Sequence, residues 1–409
     1  MKRIIIPIAV IFLLVISCSS PQMEVADYPV IRKNGQYGFI TKQGSQAISP
    51  QFAYANPFSE GLAAVNIGGT VLGKEMPADG KWGFFGRDTL DGKFKILINP
   101  VFDSPPVLTA PPYDIDSISL GMHEAYLFSE GFSAVYKNNR WGYINRAGKP
   151  ISLDANLVIQ SARRFSNGLA SFFNGESWGY LAYDAKAGKI KEHISPKYLL
   201  PVDFYKGYAF VMTKDKERMI IDTNGEEVVI EAPYKFQSNI FDDYAAIKAT
   251  IRVEGAPLNL DDGKKIGFYN IKTKNKIEPQ FDQVGHFGMG LCPVLVGSKA
   301  GSSIEYPDVV DFADFSGGKW GFIDESGHFF INPIYDDARS FSDGLAAVKV
   351  GNHWGYIDDQ GREVFPPRFK HAGYFKRGIA RVKMGSDNIN YFNKEAYINK
   401  DGDVIWIEQ

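Results

Sequence analysis

One segment recurs every few tens of residues along the 409-residue chain, and a recurrence of that period admits only architectures in which small units stack and share their cores. Its plainest copy runs from Lys319-Trp320-Gly321-Phe322-Ile323-Asp324 to Phe341-Ser342-Asp343-Gly344-Leu345-Ala346-Ala347-Val348. His353-Trp354-Gly355-Tyr356-Ile357-Asp358 opens the next copy, and Phe375-Lys376-Arg377-Gly378-Ile379-Ala380-Arg381-Val382 closes it.

Each unit reads as three short strands. The first carries an aromatic or apolar residue, usually followed by Gly: Tyr37-Gly38, Trp82-Gly83, Trp141-Gly142, Trp178-Gly179, Met219-Ile220, Ile266-Gly267, Trp320-Gly321, Trp354-Gly355 and Ala396-Tyr397. We call it the Trp-Gly strand. A turn follows, as in Asp324-Glu325-Ser326-Gly327, where Asp caps and Gly takes the left-handed position. The second strand ends in Pro and an aromatic, as in Pro50-Gln51-Phe52, Pro333-Ile334-Tyr335 and Pro367-Arg368-Phe369, and we call it the proline strand. Proline lacks an N–H, so the ladder stops there. The third, the Phe-Gly strand, follows Phe-x-x-Gly at Phe58, Phe128, Phe165, Phe204, Phe287, Phe341 and Phe375. Phe241 heads a shortened copy without its Gly, in the same unit that has Met219 for Trp. The strand aromatics recur at one point of every unit, which suits a stacked internal core better than a ligand-stacking ladder. The Gly after Trp makes room for a neighbouring backbone or ring.

The fold class expected is therefore all-β, a tandem array of about nine three-stranded antiparallel units over residues 30–409. The chain starts on a Phe-Gly-type strand, Pro29 to Asn34, and ends on the first two strands, Glu395 to Ile407. Either the array is open, or the termini pair to close a propeller-like ring. Propeller blades have four strands and number four to eight, so an open, curved array is the expectation.

From about residue 30 to 407 the unit resembles the bacterial WG repeat, also described as the KWG repeat. The residues that carry the resemblance are Trp82-Gly83, Trp141-Gly142, Trp178-Gly179, Trp320-Gly321 and Trp354-Gly355 with the Phe-x-x-Gly strands after them. It implies a β-rich repeat and carries no catalytic motif or general activity.

Before the array, Met1-Lys2-Arg3 and the apolar run Ile4 to Ile16 read as a secretory signal, too short for the roughly 20 apolar residues of a bilayer span. Ser17-Cys18 at its end resembles a bacterial lipobox, which implies removal of residues 1–17, acylation of Cys18 and a flexible tether at 18–29. With Ser19 in place of Asp, the resemblance to lipoprotein sorting signals implies the outer membrane in a Gram-negative source. The partner expected on this side is a membrane, met through lipidated Cys18. Loss of Lys2 and Arg3 from 45 basic residues against 47 acidic ones leaves a net charge of −4. No basic stripe occurs, and nucleic acid is not an expected partner.

Unit spacing locates two inserts. Trp320 to Trp354 is 34 residues, whereas Trp82 to Trp141 is 59 and Ile266 to Trp320 is 54, which places extra chain at about 104–124 and 297–318. Extra residues in repeat proteins go to surface loops, where binding concentrates. The second insert, with Tyr306, Asp308, Asp311, Phe312, Asp314 and Phe315, is the candidate contact loop. Its Asp spacing lacks the EF-hand pattern and reads as a solvated loop, so no metal and no cofactor is expected. Gly68 to Glu75 fails as a phosphate loop because Glu75 stands where Ser or Thr is required. Cys292 falls at the small position held by Ala63, Ala170, Ala346 and Ala380, which makes it a core residue. The six His share no local context, and no catalytic residue is assigned. The expectation is a non-catalytic, envelope-anchored scaffold that binds an extracytoplasmic protein or glycan. An envelope hydrolase with a site assembled from several repeats and a spacer without a ligand are the alternatives.

Overall fold

The computed structural model describes residues 25–31, 35–70, 77–105, 126–231, 234–241, 243–249, 265–303, 313–385 and 394–408. Among them every named element is a β-strand. Each Phe-Gly strand pairs antiparallel with the Trp-Gly strand after it, as Leu62–Ile67 does with Lys81–Arg87 and Leu345–Val350 with His353–Asp358. The same pairing opens the described chain, Val25–Ile31 on Tyr37–Thr41, and ends it, Ile379–Met384 on Glu395–Asn399.

The proline strand then returns along the Trp-Gly strand and sets its aromatic opposite the Trp: Trp82 faces Phe102, Trp178 faces Tyr198, Trp320 faces Tyr335 and Trp354 faces Phe369. The ladder shifts register directly after each of these pairs, a bulge that brings the proline strand's backbone over the Gly. A Cβ on Gly83 would lie 2.6 Å from the Ile98 carbonyl oxygen and 2.8 Å from Pro100 N, and Gly321 and Gly355 meet the same atoms of Ile331 and Phe365 at 2.6 and 2.5 Å. The Gly of Trp-Gly thus accommodates backbone, as its place in the unit implies. The Trp beside it is core, with Trp82, Trp141, Trp178 and Trp354 all buried.

The three-stranded unit requires correction. After its aromatic the proline strand steps aside by one residue and adds a short fourth strand to the next sheet: Tyr54–Ala55 on Leu62–Ile67, Gln283–Val284 on Leu291–Ser303, and Asp337–Ala338 on Leu345–Val350. Two of these sheets, and the one spanning Tyr234–Phe241 to Lys276–Phe281, have four strands each. The fourth pair was hidden because the Pro reads as the end of the strand, whereas pairing to one sheet continues to the aromatic two residues past it and pairing to the next starts two residues later. In the unit that carries Met219, Arg218–Asp222 has a strand partner on one side only, and its other side makes an isolated bridge from Ile221 to Glu227.

An open array is also not what the chain forms. Buried clusters link each sheet to the next along the chain, and a final one joins its two ends: Ile40 packs with Ile379, Tyr397 and Trp406. Each aromatic buried there is worth about 1.5–3 kcal/mol, which the ends of an open array would forgo.

The Phe-x-x-Gly turns are stitched from unit to unit. Ser59, Ser166 and Ser342 each donate through Oγ to the carbonyl of the next unit's Phe, at Phe128, Phe204 and Phe375, over 2.6, 2.6 and 2.8 Å. The residue after Ser holds a left-handed backbone, with φ of +50° at Glu60, +54° at Asn167 and +53° at Asp343. From there the Glu60 and Asn167 side chains accept the next turn's Gly N–H, Gly131 at 3.1 Å and Gly207 at 2.8 Å, and Asp343 accepts that of Gly378 in the same way. Phe therefore supplies the core, Ser and the polar residue supply the link, and Gly supplies the free donor.

Candidate functional site

Cys18, Tyr306, Asp308, Asp311 and Phe312 lie outside the described residues, as does the first insert from 106 to 124. Asp314 and Phe315 lie on the strand Ala313–Asp324. Its partner Leu291–Ser303 is of similar length, and the two pair from Leu291 opposite Asp324 outward to Ser303 opposite Ala313. The base of the second insert is therefore an extended hairpin and not a loop. Gly-Ser-Lys-Ala-Gly-Ser-Ser has weak intrinsic preference for strand, but a hairpin already registered by Cys292 opposite Ile323 extends through backbone pairing alone. Gly297, Gly317 and Gly318, at φ of +75°, +77° and +78°, mark where this arm leaves the body.

A polar seam lies where the last sheet meets the first. Arg339 and His371 stand on short fourth strands or their continuations in consecutive units, and Arg339 Nη2 bonds His371 Nε2 at 2.9 Å. The Arg339 guanidinium sits 5.3 Å from the Trp354 ring centroid and 5.5 Å from that of Tyr374. Beside it Arg381 pairs with Glu395, both partly exposed. Tyr37 stacks obliquely on Tyr54 at 4.9 Å, and burial raises both phenols. His371 keeps an exposed edge, yet partial burial and the guanidinium groups of Arg339 and Arg381 pull its pKa down to about 4. The imidazole is neutral at pH 7 and accepts the Arg339 bond. Tyr374 also meets the ring of His286 at 6.1 Å, although their units are two apart, so side chains converge here.

A repeated clamp escaped the sequence reading. The Lys before the Trp-Gly position pairs with the Asp after the proline strand's aromatic: Lys81 with Asp103, Lys265 with Asp282, and Lys319 with Asp336 at 2.6 Å. Each Asp also accepts a backbone N–H from the next unit's hairpin, from Asn138, Ser298 and Gly351 at 2.8, 2.9 and 2.7 Å. The Lys bond lowers the carboxyl of Asp103 and of Asp336 below the usual range. At Asp282 burial pushes upward, but Lys265 and Ser298 outweigh it. The signal was present as Lys-Trp-Gly followed by aromatic-Asp, but neither residue alone stands out among surface charges. Cys292 is fully buried opposite Ile323, the position that Ala346 holds opposite Ile357, and burial raises its thiol well above the usual value. Among the described residues no group of three or more His, Cys, Asp or Glu is placed to hold a metal ion.

No curated protein matches the chain. Among solved structures, a eukaryotic initiation factor shares 11% identity over 94% of this chain and 96% of its own, with a TM-score of 0.48. The β-propeller domain of the Trilobed protease from Pyrococcus furiosus shares 10% over 87% and 98%, at 0.33. BamB from Moraxella catarrhalis shares 10% over 67% and 79%, at 0.32. Likenesses this distant carry no argument about activity. The family description "WG containing repeat" matches residues 37–70, 123–141, 141–178, 266–299, 320–352 and 354–386; five of these six segments begin at the aromatic or apolar residue of a Trp-Gly strand, and the other ends on Trp141. Those matches fall on the structural units, and the chain carries WG repeats over these segments.

Proposed function

We propose that this chain is a non-catalytic binding scaffold of a bacterial envelope, a body of nine repeat units anchored through acylated Cys18, and that it meets an extracytoplasmic protein or glycan. The observation that carries this reading is the arm. The other Phe-Gly and Trp-Gly strands span five to seven residues, whereas Leu291–Ser303 and Ala313–Asp324 span 13 and 12. A hairpin extended past the length that the core requires is chain maintained for contact. The residues between its two strands, 304–312, include Tyr306 and Phe312, aromatic types enriched in interfaces, together with Asp308 and Asp311.

Crosslinking in intact cells tests it, comparing the native chain, a secreted Cys18→Ser form and a chain lacking 298–317. A defined partner captured by the native chain and lost with the arm is the expected result. Undiminished capture without the arm removes the arm from the reading. Failure of Cys18→Ser to leave the membrane fraction removes the lipid anchor.

A further inference from the structure

We propose that Arg339 and His371 form a receptor for a carboxylate on a ligand, a site on the repeat body and separate from the arm. Among the described residues Arg339 makes no direct ion pair, although the Asp337 carboxylate acts on it at longer range. Of its N–H groups Nη2 alone has a hydrogen-bond partner, the His371 ring. Its Nε is buried and unpartnered. The neighbouring guanidinium differs, because Arg381 is neutralised by Glu395. The Trp354 and Tyr374 rings fix the Arg339 plane, so a planar acceptor meets a preorganised fork.

His371 completes the site from the solvent side. The charged groups that face it are Arg339 from the strand Asp337–Ala338 and its continuation, Arg381 and Lys383 from Ile379–Met384, and Glu395 from Glu395–Asn399. Of the groups that act directly on His371 three are cations and one is a carboxylate, with Asp337 set against Arg339 and Glu408 against Arg381 behind them, around a neutral imidazole with an exposed edge. An arriving carboxylate offsets the charge of these cations and accepts N–H groups of Arg339, and a proton taken up at His371 Nε2 ends the bond from Arg339 Nη2 and frees that N–H for the ligand. Binding and protonation are therefore linked: the acid raises the His371 pKa, and affinity increases as pH falls through the raised value. The repeat sharpens the assignment. Arg163 stands at the same position, two residues before its unit's Phe, and lies 5.1 Å from the ring of Trp178 as Arg339 does from Trp354. Beside Arg163, however, the next residue Arg164 is already paired with Asp203. The unit with Arg339 has Ser340 there instead.

The test uses the full chain carrying Cys18→Ser and follows the His371 ring by NMR, with His371→Gln assigning the signal among six His. Acetate is the minimal probe, and galacturonate and N-acetylaspartate distinguish an acidic sugar from a peptide acid. The expected result is a His371 pKa raised by about one unit at saturation, which is a tenfold tighter binding at low pH than at high pH. Arg339→Met abolishes the shift, whereas His371→Gln retains binding without the pH dependence. Arg339→Lys, which keeps the charge and loses the fork, weakens binding and guards against misreading a misfolded Met variant. If none of the three acids moves the His371 titration in the otherwise unaltered chain, or if Arg339→Met binds undiminished, the proposal is overturned.

Discussion

Gly44 of the first hairpin lies against Ile405 of the last strand, so close that a Cβ on Gly44 would fall 1.7 Å from the Ile405 carbonyl oxygen. Gly131 has nearly the same backbone, φ +84° against +79°, with nothing within 4 Å of its Cβ position. Gly44→Ala and Gly131→Ala therefore share the left-handed strain, and only the first also forces the ends apart. Gly44→Ala is expected to cost about 1–3 kcal/mol more in urea unfolding. Equal losses would mean that the ends do not bear on each other.

The links between turns are predicted to act singly and independently. Ser342→Ala removes the Oγ bond to the Phe375 carbonyl and is expected to lose about 1 kcal/mol, as is Ser166→Ala at Phe204. The two links join different pairs of units and share no partner, so the double variant should lose the sum. A double loss well beyond the sum, in the same denaturation assay, would contradict independent links.

Acid acts in two windows of opposite origin. His371 titrates at about 4 when folded and near 6.5 when unfolded, so the unfolded chain binds the extra proton between these values. Stability is full above about pH 6.5 and falls as pH drops toward 4, and His371→Gln should flatten that slope. Asp103, Asp282 and Asp336 have lowered folded pKa values. Their contribution is fully present above the unfolded value of about 3.9 and is lost as pH falls through the folded ones. Replacing all three by Asn should flatten the acid limb below pH 4 and leave the upper window intact. Thermal melts at closely spaced pH values separate the two, and an upper window unmoved by His371→Gln would refute the first assignment.

Cys292 should be inert in the native chain. Its thiol is fully buried with a raised pKa, so a thiol reagent at pH 8 reacts only through opening of the fold. The labelling rate should rise together with the unfolded fraction in urea. Rapid labelling without denaturant would place the thiol at the surface.

Strand order, the buried Trp and the role of the Gly after it were legible in the sequence because each repeats with fixed spacing, and repetition averages out local ambiguity. Closure was legible only as the alternative to an open array. Ile40, Tyr397 and Trp406 look like ordinary strand residues, and the contact among them depends on the summed rotation of every intervening unit. The fourth strand escaped because Tyr54–Ala55 and Asp337–Ala338 are two residues long and depend on a neighbouring sheet for their pairing. The seam of Arg339, His371 and Arg381 escaped for a related reason: these residues are scattered over 42 positions, and only Arg339 has a like residue, Arg163, at its place in another unit. The base of the second insert reads as loop because Gly and Ser dominate it, whereas it is paired strand.

The packing of Ile40 on Trp406 also sets an order of events during synthesis. At roughly 5–20 residues per second the first hairpin leaves the ribosome on the order of tens of seconds before the strand that covers it. Through that interval the apolar face around Ile40 has no lasting cover, and the later units accumulate in sequence with each able to lean on the one before. The last strand delivered, Val404–Ile407, then finishes two ends of the molecule at once. A nascent chain stalled before residue 404 is accordingly the species with a sticky first hairpin, and a chaperone or export factor has its period of contact defined by the time taken to reach Trp406.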